Sequence, residues 1–141
     1  MTETAIWAAE RDCTRLILGY CQAADTNDIE AFAGLFTEDA EWIRPDASTV
    51  TGQEAIRAYF AARPAGVVSA HISTNALVEV TGPDSATGRS VTTVYRGSAL
   101  EDGPAVLASP AAILENRDDF TLTGQGWRIH RRRSQMIFAN R

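Results

Sequence analysis

Residues 71–80 read HISTNALVEV, and residues 81–84 read TGPD. The first ten positions read as a two-residue alternation, the pattern of a strand with one packed and one wet face. On that period His71 and Asn75 share a face. Gly82-Pro83 then breaks the run, as a turn requires. Residues 86–95 resume the period and read as an antiparallel partner. After a loop at residues 101–104 the same pattern recurs. Residues 111–122 and 127–138 read as strands joined by a tight turn, Thr123-Gly-Gln-Gly126.

Upstream of residue 71 the period is helical. Over residues 4–24, the apolar positions Ile6, Cys13, Leu16, Ile17, Tyr20 and Ala24 fall mostly three and four apart. Asn27 reads as the N-cap of a second helix, with Glu30 three residues on as in a capping box. Its apolar side carries Ile29, Phe32, Ala33, Leu35 and Phe36. A short strand, Glu41-Trp42-Ile43, is stopped by Pro45. Gly52 introduces a third helix over residues 53–62, and Pro64-Ala65-Gly66 ends it. Helices gathered ahead of four long strands make the fold class α+β rather than an alternating parallel α/β type. Long strands curl. Three N-terminal helices across the hollow of a cone-shaped, mixed or antiparallel sheet enclose a pocket, expected to be apolar.

The composition narrows the partners. Residues 1–141 read as one domain, long enough to bury a core without staples. With 45% hydrophobic and 22% charged residues, the chain is an ordinary globular one, not a disordered one. A net charge of −5 argues against nucleic acid, since phosphate backbones are repelled. The basic run Arg131-Arg132-Arg133 alternates faces on a strand, so it makes no single patch and reads as a solvated strand with one inward or interfacial arginine. Cys13 and Cys21 lie about 12 Å apart along a helix, too far for a disulfide. The sequence carries no leader pattern and no apolar run of membrane length, so a cytoplasmic location with no membrane partner is expected. No phosphate loop, zinc-ligand spacing or nucleophile elbow is present, and no cofactor or metal is expected.

Several pieces, in order, resemble the SnoaL-like domains of the nuclear transport factor 2-like superfamily. They are residues 20–25 (YCQAAD), 35–42 (LFTEDAEW), Gly52 with Ile56 and Phe60, residues 71–75 with 78–80, and residues 126–129 with Arg133. Within that superfamily the pattern is most similar to the scytalone dehydratase and lindane dehydrochlorinase branch. The resemblance implies a cystatin-like α+β barrel. It also implies a homodimer or homotrimer assembled through the sheet, and chemistry without metal or organic cofactor. It places an aspartate at the end of the first helix, here Asp25, beside a histidine at the start of the first long strand, here His71.

On that reading His71 is a general base and Asp25 fixes its tautomer, stabilises the imidazolium and raises basicity. Tyr20 is a hydrogen-bond donor to a carbonyl or departing oxygen. Trp42, Asn75, Tyr95, Asn116, Phe36 and Tyr59 are candidate substrate contacts. Other readings of these residues stand beside this one: Asp25 as a helix cap, Tyr20 and Trp42 as core aromatics, Asn75 as a backbone partner. His130 reads as exposed or interfacial. The family's second active-site histidine has no counterpart, and Tyr95 or Arg96 occupies that region. The expected activity is that of a dehydratase-like lyase or isomerase. Its expected substrate is a small, largely apolar cyclic, aromatic, polyketide-like or steroid-like molecule. The alternative is a non-catalytic ligand-binding domain or oxygenase accessory subunit.

Overall fold

The computed structural model describes residues 1–140. Helix α1, Glu3–Thr26, begins at Thr2, whose side chain accepts a hydrogen bond from the Ala5 N–H. It ends at Asn27, which adopts the left-handed conformation (φ 53°) and gives its own N–H to Ala23 and Ala24. Asn27 is therefore the C-cap of the first helix and not the N-cap of the second. That N-cap is Asp28, whose carboxylate accepts from the Ala31 N–H, and α2 is one short piece, Ile29–Ala33. The chain leaves α2 early because Phe36 already belongs to a strand. Strand β1 spans Phe36–Ile43, longer than the three residues expected.

A brief strand, β2 (Thr49–Thr51), pairs antiparallel with β1 and is not apparent in the sequence pattern. Helix α3, Gln53–Ala61, follows Gly52, whose φ of +93° suits glycine. Then come β3 (Val67–Gly82), β4 (Ser85–Ser98), β5 (Ala112–Thr123) and β6 (Gly126–Ala139). The sheet runs β2-β1-β6-β5-β4-β3. All its pairs are antiparallel except β1 with β6, so the sheet is mixed. The fold class is the expected α+β one.

The alternation of β3 fails at one place. Thr74 pairs with Val91 but Leu77 with Arg89, so Asn75 and Ala76 face one residue, Ser90. Asn75 takes a left-handed φ of 53° to make this bulge. The bulge removes Asn75 from the face it would share with His71.

The core lies where α1 and the aromatic residues of α2, β1 and α3 meet the sheet. Phe32 is its hub. It stacks on Phe60 at 4.1 Å between centroids and meets Tyr20, Trp42 and Phe36 at 4.9, 5.4 and 5.6 Å. On the sheet side Phe120, Trp127 and Ile129 close it. Gly88 permits this contact, since a Cβ there would stand 2.8 Å from the Phe120 ring. Cys13 and Cys21 are both free and buried.

Candidate active site

Asp25 lies in the last turn of α1, a segment with no basic residue. The packing of α1 on β3 brings it to the start of that strand. Its carboxylate is gripped from three directions. The His71 backbone N–H donates to Oδ2 at 2.8 Å, the Ser69 hydroxyl donates to Oδ1 at 3.0 Å, and His71 Nδ1 meets Oδ1 at 2.6 Å. A carboxylate accepts and does not donate, so the proton of the neutral ring sits on Nδ1 and Nε2 carries the lone pair. Nε2 has no hydrogen-bond partner among the described residues.

The His71 side chain is 9% exposed and that of Asp25 25% exposed. Burial pushes the His71 pKa below its ordinary 6.5. The Asp25 bond and charge act upward, and the positive charges of Arg96 and Arg63 act downward. The carboxylate raises basicity as expected, but burial outweighs it and the net shift is downward. The consequence favours a base, because a ring with a depressed pKa is neutral at pH 7.

His71 borders a cavity of about 530 Å³, within the usual range for small-molecule sites. Tyr20, Trp42 and Tyr59 line it as well. The Tyr20 hydroxyl has no partner among the described residues, and burial raises its pKa, so it remains a proton-bearing donor. The guanidinium of Arg132 lies 4.1 Å from the Tyr20 ring centroid, and Asp118 grips that guanidinium through two hydrogen bonds of 2.7 and 2.8 Å. Arg132 is the inward member of the basic run.

The remaining candidates separate. Asn116 borders a small polar recess of about 60 Å³ that adjoins the main cavity, with Thr92 and Ser134. Its amide is already engaged: Nδ2 donates to Thr92 and Ser90, and Oδ1 accepts from Ser134. These bonds fix it in the wall of the recess. Tyr95 does not line the cavity. Thr92 and Arg96, each two positions from the inward Val94, take its face, and Tyr95 falls on the other. Asn75 is also outside, for the bulge already described. Phe36 packs against Phe32 and Trp42 and borders a different groove, beside Thr37 and His130. His130 is half exposed, with Nδ1 3.2 Å from the Thr37 hydroxyl and 3.5 Å from Asp39.

Sequence reasoning missed Ser69 as a support of Asp25, and Arg44 and Arg63 as cavity walls. It left Arg96 undecided. The signal for Arg96 was present, since the parity of β4 puts it with Val94. The wall is therefore apolar only in part, with aromatic rings on one side and guanidinium groups among them.

A model of the SnoaL-like domain matches residues 6–133 of the chain. A protein of unknown function from Mycobacterium tuberculosis is 33% identical, with a TM-score of 0.73 over 88% of this chain and 69% of its own. An NTF2-like protein with a cystatin-like fold from Novosphingobium aromaticivorans is 29% identical, with a TM-score of 0.74, 89% of this chain and 80% of its own. A hexachlorocyclohexane dehydrochlorinase from Novosphingobium barchaimii shares the fold at 16% identity, with a TM-score of 0.80 over 99% of this chain and 93% of its own. No curated protein matches the chain.

Proposed function

The chain belongs to the SnoaL-like domain family, and we propose that it is a cofactor-independent lyase or isomerase whose general base is His71. The observation that carries this reading is the Asp25–His71 contact, with the second ring nitrogen unpartnered beside an open cavity. The dehydrochlorinase named above has the same fold, which supports an elimination or isomerisation without supplying its substrate.

The step begins with substrate between Tyr20, Trp42 and His71. Nε2 takes a proton from a carbon next to a carbonyl or next to the carbon that bears the leaving group. The ring becomes an imidazolium, and Asp25 offsets its charge through Nδ1. In an elimination the electron pair of the broken C–H bond forms the double bond as hydroxide or halide departs. In an isomerisation the same proton returns to another carbon. The Tyr20 hydroxyl donates to the oxygen that gains charge, a role its raised pKa suits because it holds the proton.

The substrate is a small ring compound, since the aromatic walls offer flat apolar surfaces and the volume admits a molecule of that size. The test is turnover of the wild-type and His71→Ala proteins on a panel of hydroxylated, ketonic and halogenated ring compounds. Loss of general-base chemistry lowers kcat by about 10²- to 10⁴-fold. Full turnover by His71→Ala on a substrate of the wild type overturns the base assignment. A cavity that binds ring compounds and transforms none of them marks a ligand-binding or accessory domain instead.

A further inference from the structure

Three arginines, Arg44, Arg63 and Arg96, line the His71 cavity, and no aspartate or glutamate does. None of the three forms an ion pair among the described residues. Asp25, the carboxylate beside His71, is engaged by His71 and Ser69. Outside the cavity Arg15, Arg128 and Arg133 also lack an ion pair among the described residues, whereas the other described arginines are paired. Arg57, Arg89, Arg117 and the fully buried Arg132 each have a carboxylate partner. A chain with a net charge of −5 thus gathers three arginines without ion-pair partners around one cavity that no acidic residue lines.

Two of the guanidinium groups are also held in place. Arg44 lies 4.8 Å from the Trp42 ring and 4.6 Å from the Tyr59 ring. Arg63 lies 4.6 Å from the Phe60 ring and donates to the Ala24 carbonyl at 3.3 Å. Stacking on rings fixes a guanidinium plane while leaving its edge N–H groups free to bind a planar anion in the bidentate manner. Three like charges around one cavity repel one another, and an anion relieves that repulsion.

We propose that the substrate of this site is a ring compound bearing a carboxylate, and that Arg44, Arg63 and Arg96 form the subsite for that group. The inference rests on the reading of the cavity as the reaction site and adds the charge of the molecule that enters it. The carboxylate docks on the arginine side and the ring lies against Trp42 and Tyr59. Recognition of the anion then orients the acidic carbon toward His71, so binding energy from a group that does not react positions the one that does.

The experiment is calorimetric titration of the full chain with benzoate and with benzamide, which matches its shape without its charge. Benzoate is expected to bind at least about tenfold more tightly, the value of a charge-assisted contact, and the preference is expected to shrink as salt is raised. Arg96→Gln and Arg63→Gln are each expected to weaken benzoate by about tenfold and benzamide much less, with circular dichroism and thermal denaturation verifying that the variants are folded. Equal affinity for the two compounds overturns the proposal, as does undiminished benzoate binding by both variants. Because binding is read without turnover, its failure is separate from that of the catalytic reading. A protein that prefers benzoate yet keeps turnover after His71→Ala refutes the base alone.

Discussion

Asp25 occupies the carbonyl end of α1, where a helix dipole disfavours a negative side chain by about 0.3–1 kcal/mol. The site tolerates it because three donors converge on the carboxylate, and their effect is to fix one ring tautomer. Asp25→Asn keeps the shape and removes the charge that favours the imidazolium. It is expected to lower kcat by about 10²- to 10⁴-fold with a smaller change in KM, measured by steady-state kinetics on the wild-type substrate. The base must be neutral to act, and protonation begins below a pKa depressed from 6.5 by burial. The acid limb of kcat/KM is therefore expected at a pH below 6.5, read from a pH–rate profile. The sign for stability follows from the same shift. An unfolded His71 takes up its proton near pH 6.5 while the folded one stays neutral, so stability falls as pH drops through that interval. Arg132 carries a different burden. At 1% side-chain exposure, with Asp118 fully buried against it, truncation strands a carboxylate in the core. Arg132→Ala is expected to cost about 3–5 kcal/mol in chemical denaturation, and the double variant Arg132→Met with Asp118→Leu much less.

Among the elements, β3 and β4 do most to place the site, because their inward faces carry Ser69 and His71 on one strand and Thr92 and Arg96 on the other. The bulge at Asn75 ends that regular stretch and bends the strand beyond it. A β-branched residue is poorly suited to φ 53°, so Asn75→Val is expected to destabilise the protein by about 1–2 kcal/mol. Asn75→Gly is expected to be near neutral, both by thermal denaturation. Gly88→Ala is expected to cost about 1–3 kcal/mol by the same measurement, because its methyl group would meet the Phe120 ring.

Most of this layer was legible in the sequence. The switch from helical to alternating period falls at the boundary between α3 and β3, and Gly82-Pro83 and Thr123-Gly-Gln-Gly126 mark the two long hairpins. Three things were not legible. Asn27 and Asp28 are both good caps, and only the left-handed turn at Asn27 decides which helix each serves. Strand β2 is three residues long and exists only because β1 offers it an edge. The bulge contains no glycine, so alternation alone carries through it and misplaces Asn75. The Asp25–His71 pairing was anticipated, but from the resemblance; nothing in the local pattern joins residues 46 positions apart. The guanidinium lining was missed for Arg44 and Arg63, since both come from segments outside the long strands, where no parity rule assigns a face.

At the scale of the molecule, charge is distributed unevenly: a net acidic chain encloses a cation-lined cavity, and a potential of that shape draws anions inward from an otherwise repelling surface. Among the described residues no helix is long and apolar enough to cross a membrane. The order of strands has a consequence for how the chain reaches this form. β6 lies between β1 and β5, so β1 and β2 join the sheet only through the strand made last among the six. Thr37 and His130, in contact across that junction, are 93 positions apart. Such long-range pairing makes for slow folding, and stopped-flow refolding is expected in the range of about milliseconds to seconds. During synthesis the aromatic residues of α2, β1 and α3 leave the ribosome well before β6 exists to complete the sheet beside them. Over that interval a cluster of aromatic side chains stands without the sheet that buries it, a state open to self-association.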